Sequence, residues 1–290
     1  MYKKIIVAPE YDKFSIGKYL KEVYGYSSRS LRNTEVYLNG KRVKNYSKIV
    51  RKLNRVLIKE KEKTTGIEPM DIPIKVAYED ENLLVINKDP YIIVHPTEKK
   101  VDYTLANGVV NYFVKTTGKT MVPRFYNRLD MNTSGLIIVV KNAYAQNFLQ
   151  KSNKVKKYYM AITKGIIKED EFFIEKPIGK VGDDLRRIEL SPEEGGKDAK
   201  TRIKVLKRNE KENITLIEAE LFTGRTHQIR AHLSLIGHPL LGDELYGGQD
   251  ERAPRQMLHS YKCQIPLIDK EEMQTVKIVI PDDMKEILKL

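Results

Sequence analysis

A charged stretch punctuated by glycine and proline, residues 59–73 (KEKEKTTGIEPMDIP), divides the 290-residue chain into a short front and a long remainder. Apolar periodicity stops there, and Gly66, Pro69 and Pro73 favour a solvated connection over a continued helix or strand. The expected organisation is therefore a small domain at 1–62, a linker at 63–73 and a larger domain at 74–290. Both parts are long enough to bury a core.

The two parts differ in charge. Residues 1–63 hold 17 Lys and Arg against 6 Asp and Glu, a net of +11 within a whole-chain formal charge of +13. An excess concentrated in so short a segment is the usual signature of a polyanion partner, nucleic acid above all, although a solubilising surface would have the same composition. One cysteine, Cys263, permits neither an internal disulfide nor a thiolate metal cluster. The N-terminus lacks the apolar core of a signal peptide, and no apolar run reaches the roughly 18 residues of a membrane span. A cytoplasmic location and no membrane partner are the expectation.

In the front part, apolar residues at 16, 19, 20, 23 and 24 have helical spacing, with Gly25 as the stop. Residues 27–32 (SSRSLR) read as a second short helix. Asn39-Gly40 within VYLNGKRV signals a hairpin, and RVLI at 55–58 a further strand. After the linker, strands are expected in 74–89, at 135–141 (GLIIVVK), 157–163, 202–208, 214–222 and 275–280. Helices are expected at 101–114, interrupted by Gly108, at 142–152 and at 225–236. Strands and helices mixed without βαβ alternation predict an α+β fold with a mixed, largely antiparallel sheet.

Three stretches carry chemistry. Arg128-Leu129-Asp130, followed by Thr133-Ser134-Gly135, puts a carboxylate on a loop that feeds a buried strand, where catalytic groups often sit, as do ordinary turn residues. Thr223 to Arg230 (TGRTHQIR) places Arg225 and Arg230 at an expected helix start, an arrangement suited to an anion. Lys157-Tyr158-Tyr159 puts aromatic and basic side chains on one strand, fit for stacking on a nucleobase and holding phosphate, or for core packing. His227, His232 and His238 are five and six residues apart, whereas a helical zinc pair needs four. Structural roles for these histidines and no metal are expected.

Taken in order, these motifs resemble one family. Arg128-Leu129-Asp130 with Thr133-Ser134-Gly135 comes first, then Lys157-x-Tyr159-x-Ala161 and Thr223-Gly224-Arg225-Thr226-His227-Gln228-Ile229-Arg230. Gly237-His238-Pro239, Gly242-Asp243-x-x-Tyr246-Gly247 and Arg255-Gln256-x-Leu258-His259 follow. Over roughly residues 74–290 the chain resembles the catalytic domain of RluA-type RNA pseudouridine synthases. The front part resembles the alpha-L RNA-binding motif of ribosomal proteins, through Phe14–Leu20, Ser28–Arg32, Val36-x-Leu38-Asn39-Gly40 and Val56-x-Ile58.

The resemblance implies that uridine in structured RNA becomes pseudouridine without cofactor or metal. It assigns the essential carboxylate to Asp130, as nucleophile or base, and a stacking role on the target uracil to Tyr159. Arg128 would fill the place of the flipped base, and Arg230 would be the partner of Asp130. Arg29, Arg32, Lys41 and Arg42 are the candidate RNA contacts of the front domain. Large-subunit ribosomal RNA is the expected target, with transfer RNA as the alternative, and a monomer the expected state. The family has histidine before Arg-Leu-Asp, whereas this chain has Asn127, which alters the hydrogen bonding available to that loop. A non-catalytic RNA-binding or ribosome-assembly protein on the same fold is the competing reading. A nucleoside or glycoside hydrolase would need a second carboxylate at the bond, only one compelling carboxylate, Asp130, is found, and the basic front part would be unexplained.

Overall fold

The computed structural model describes residues 2–26, 28–32, 34–60, 65–96, 103–268 and 270–289, and the side chains of Tyr2, Lys3, Arg29, Ser30 and Glu60 lie outside that description. The front part runs β1 (Tyr2–Ile6), α1 (Ile16–Glu22), α2 (Ser28–Arg32), β2 (Thr34–Leu38), β3 (Lys41–Arg42) and β4 (Arg55–Glu60). Its strands form an antiparallel sheet in the order β1-β4-β2-β3. Helix α1 starts where the Ser15 hydroxyl accepts from Lys18 N, and the chain leaves it through Gly25 at φ +71°. Asn39 and Gly40 both have positive φ, 49° and 80°, as a two-residue hairpin with the twist of its strands requires. The sequence reading does not anticipate β1, whose YKKII acquires strand form by pairing residue for residue with β4.

The remainder contains β5 (Val76–Glu79), β6 (Leu83–Lys88), α3 (Leu105–Thr117), β7 (Arg124–Phe125), β8 (Ser134–Val140) and α4 (Ala143–Ser152). It continues with β9 (Lys156–Lys164), β10 (Glu171–Glu175), β11 (Ile178–Gly179), β12 (Ile188–Glu189), β13 (Lys200–Asn209) and β14 (Ile214–Leu221). It closes with α5 (Gln228–Leu235), β15 (Leu258–Pro266), β16 (Met273–Lys277) and α6 (Asp282–Leu288). The main sheet runs β10-β13-β14-β9-β15-β8-β6-β5, with β16 on β15 and β7 on β8. Its ladders are antiparallel except β8 with β15, which pair in parallel at Ser134–His259 and Gly135–Ser260. The fold is α+β and largely antiparallel.

Strand β8 explains its own sequence. Leu136, Ile138 and Val140 point into one core, with Tyr144, Ala145 and Leu149 of α4 and with Ile16, Leu20 and Ile58 of the front part. Ile137 and Val139 point into the other, with Leu105, Val109 and Phe113 of α3 and Ile229 and Leu233 of α5. A strand covered on both faces reads as an unbroken apolar run rather than an alternating one. The front part closes on α4, where the Tyr24 and Tyr26 rings lie 5.8 and 6.4 Å from that of Tyr144.

Gly108 does not interrupt a helix, as the sequence reading expects; α3 runs through it from Leu105 to Thr117. A Cβ there would lie 2.9 Å from Ile72 Cβ, so the glycine serves close packing of the chain before β5 against α3. That chain is held by Met70 N donating to Asn107 O and by Lys115 beside Asp71. Of the expected linker, Lys63 and Thr64 lie outside the described residues.

Candidate active site

The loop preceding β8 is built from both of its ends. Upstream, the Asn127 side chain behaves like an added strand residue: its Oδ1 accepts from Ile138 N at 2.8 Å and its Nδ2 donates to Leu136 O at 3.4 Å. Asn127 thus fastens the entry of the loop to β8. Downstream, Gly135 has φ +111°, and a Cβ would come within 2.3 Å of Ser260 O. Only glycine permits the close parallel approach of β8 and β15 here. Between these anchors, Thr133 N donates to Asp130 O, closing a turn that presents Asp130 at the centre of the sheet.

Beneath the turn sits Lys88, 1% exposed, at the end of β6. Its Nζ donates to Met131 O at 2.9 Å, Asp89 O at 2.8 Å and Ile92 O at 3.1 Å. Burial lowers its pKa to about 7, while nearby Asp130 opposes the shift, and three carbonyl acceptors call for the three N–H bonds of an ammonium. Arg255, fully buried, approaches from the far side. It donates to Asn132 O and pairs twice with Asp283 of α6, fastening the C-terminal helix to the loop. Lys88 was missed in the sequence because one lysine closing an apolar strand gives no local sign that it is buried.

The second half of the site comes from the segment after β14. Residues 225–236 were expected to be helical, but α5 begins at Gln228, with Arg225 to His227 in a turn and His227 at φ +57°. The cause is the Gln228 amide. Its Oε1 accepts from Arg225 N and Thr223 Oγ1, and its Nε2 donates to Lys200 O and Thr201 Oγ1, tying the turn to β13. The two arginines therefore do not converge on one anion. Arg225 is exposed with Nε on Asp198 O, whereas Arg230 is buried.

Arg230 Nε and Nη2 donate to the two carboxylate oxygens of Asp243 at 2.7 and 2.8 Å, and Nη1 donates to Asp130 Oδ2 at 3.0 Å. The Tyr246 ring lies 5.1 Å from the guanidinium carbon. His227 Nε2 is 3.8 Å from Asp130 Oδ2, and burial lowers the imidazole's pKa, favouring the neutral ring. Asp243 appeared in the sequence only as part of a motif; a carboxylate fixed between glycine and a 3₁₀ turn was the available signal for it.

These groups open onto a cavity of about 460 Å³. Asp130, Tyr159 and Arg230 share it with Arg128, Lys157, His95, Phe125, Gly224 and Arg225. Tyr159 is buried on β9, and burial raises its hydroxyl well above the usual tyrosine value, keeping it a neutral phenol. Arg128 is exposed at the mouth. The arrangement offers one carboxylate held by one arginine, an aromatic ring beside it and basic side chains around the opening. That set can hold a planar uncharged ring beside a sugar and direct a carboxylate at it.

The other histidines stand apart from one another. His232 bonds Thr201 Oγ1 and Lys176 O, and His238 bonds Lys164 O. Among the candidate RNA contacts, Arg32, Lys41 and Arg42 are exposed, with Arg42 3.3 Å from Glu35, while the Arg29 side chain lies outside the described residues. No helix among the described residues is long and apolar enough to cross a membrane.

Residues 82–235, which include Asp130, Tyr159 and Arg230, match the family described as RNA pseudouridylate synthase. The chain is 35% identical over 254 residues to an uncharacterized RNA pseudouridine synthase of Aquifex aeolicus (strain VF5), covering 85% of this chain and 79% of the relative. It is 33% identical over 248 residues to the ribosomal large subunit pseudouridine synthase D of Nitrosomonas europaea, covering 81% and 70%. Among solved structures it resembles human RNA pseudouridylate synthase domain containing 1, with a TM-score of 0.58 and 27% identity over 76% of this chain and 86% of that one. The sheet, the motifs and these likenesses agree, and the chain belongs to the RNA pseudouridine synthase family.

Proposed function

We propose that this chain converts uridine to pseudouridine in large-subunit ribosomal RNA, with Asp130 as the group that acts on the nucleotide. The observation that carries the assignment is the meeting in one cavity of Asp130, its partner Arg230 and the buried ring of Tyr159. The ribosomal target is supported by relatives named ribosomal large subunit pseudouridine synthase D and by the basic front part.

In the reaction the bond from ribose C1′ to uracil N1 breaks and a bond from C1′ to C5 forms. N1 takes up a proton once its bond to the ribose is gone, and the hydrogen at C5 leaves to solvent. The target base must first leave its stack, at roughly a few kcal/mol. Arg128, exposed at the cavity mouth, is suited to fill the vacated stack with its planar guanidinium. Tyr159, kept neutral by burial, stacks on the base inside. Asp130 engages the sugar or base while Arg230 holds its orientation.

The test is tritium release from RNA labelled at uridine C5. Wild type and Asp130→Ala are offered unmodified large-subunit ribosomal RNA and, separately, transfer RNA. Release by wild type alone, from the ribosomal RNA, is expected. Release from transfer RNA alone would overturn the target, and salt-sensitive binding without release from either would favour a non-catalytic RNA-binding protein.

A further inference from the structure

Lys157 is a cation whose side chain has no hydrogen-bond or ion-pair partner among the described residues. It lies on β9 two residues before Tyr159, on the same strand face, and lines the same cavity. Its Nζ lies over Gly224, 3.7 Å from where a Cβ would stand, in ordinary contact with that position. Its Nζ donates no hydrogen bond to a described residue and makes no ion pair with one. Burial lowers its ammonium pKa. The two buried cations near the site are occupied: Arg230 by Asp130 and Asp243, and Lys88 by three carbonyls.

An unpaired, partly desolvated ammonium facing a cavity is unfavourable until an anion arrives. A uracil is uncharged, so the anion to expect is not the base. Next to Lys157 on the cavity wall is the exposed Arg225, which uses Nε on Asp198 O and keeps its terminal nitrogens for another acceptor. An ammonium and a guanidinium flanking an exposed glycine, beside the pocket for a flipped base, match a phosphodiester.

On the synthase reading, we propose that Lys157 and Arg225 form a subsite for a backbone phosphate next to the target uridine, drawing the RNA strand over Gly224 as the base enters. Lys157 is then a substrate-binding residue, separate from the carboxylate chemistry at Asp130.

The test is equilibrium binding and turnover of an unmodified large-subunit ribosomal RNA transcript, across a salt series, by wild type, Lys157→Gln, Lys157→Arg and Arg225→Gln. Lys157→Gln is expected to weaken binding about ten-fold, leave kcat within about two-fold, and flatten the log–log salt slope by about 0.7, the value for one phosphate on a single strand. Lys157→Arg should restore the slope. Arg225 is exposed and its replacement leaves the core intact, so Arg225→Gln tests the same subsite if Lys157→Gln does not fold; it too should flatten the slope. An unchanged slope in the folded variants, or a loss of kcat with unchanged binding, would overturn the phosphate assignment. Failure of wild type to turn over any RNA counts instead against the synthase reading, because the salt slope of binding is read without turnover.

Discussion

Asp243 holds Arg230 by two hydrogen bonds, 2.7 and 2.8 Å, to the guanidinium nitrogens Nε and Nη2, leaving Nη1 as the one that reaches Asp130 at 3.0 Å. One arginine thus joins two carboxylates, one buried outright and one at the cavity, with Tyr246 against its flank. Asp243 acts through Arg230 and has no need to touch substrate.

This pairing predicts the behaviour of Asp243→Ala. Removing one partner of a buried ion pair costs about 3 kcal/mol or more, because the other charge is left unpaired. Differential scanning calorimetry should show the midpoint falling by about 6 °C or more. In the protein that remains folded, kcat should fall about ten-fold or more while RNA affinity holds. A variant with wild-type stability and kcat would refute the linkage.

Gly135→Ala should not accumulate as folded protein. The backbone at φ +111° disfavours any side chain, and Ser260 O occupies the space a Cβ needs at 2.3 Å. Destabilisation above roughly 3 kcal/mol is expected, seen as loss of soluble material or of the cooperative unfolding transition. A soluble variant with unchanged melting would mean that β8 and β15 do not approach as described.

His259 should make the fold sensitive to mild acid. It is buried at the parallel junction, with Nε2 donating to Val279 O and Nδ1 accepting from the Ser134 hydroxyl, and burial, aided by Arg255, lowers its pKa to about 4. The unfolded chain binds this proton near pH 6.5, so its contribution to stability is complete above that value and is lost as pH falls towards 4. The loss expected from this group is about 3 kcal/mol. Urea unfolding at pH 7, 5.5 and 4.5 checks it: His259→Gln, itself less stable at pH 7, should show a shallower decline, and a parallel decline would assign the acid sensitivity elsewhere.

The exposed basic residues of the front part should act on affinity rather than chemistry. Replacing Arg32, Lys41 and Arg42 together by Gln is expected to flatten the salt slope of RNA binding by about 2 if each neutralises one phosphate of a single strand. The value of kcat at saturating RNA should stay within about two-fold. An unchanged slope would remove these residues from the RNA interface.

Local pattern alone supplied much of this protein. The spacing of apolar residues marked α1, Asn39-Gly40 marked the β2–β3 hairpin, and the unbroken GLIIVV marked a buried strand, because each signal lies within a few residues of its cause. The order of the Arg128-Leu129-Asp130, Lys157-x-Tyr159 and TGRTHQIR motifs carries the family resemblance independently of geometry. Local pattern failed where distant residues intervene. Gly108 looks like a helix break until Ile72 is packed on it, and Arg225 looks helical until Gln228 ties its turn to β13. Strand β1 exists through β4, about fifty residues away in the chain.

Tertiary structure alone decided the site itself. Asp130 and Arg230 are 100 residues apart in sequence, and they meet because β8 enters the sheet in parallel beside β15 while α5 packs over its face. Residue types and their order state which groups are available. Which carboxylate meets which cation, and that Lys157 meets none among the described residues, depends on pairings whose energy comes from burial and exists only once the chain has closed.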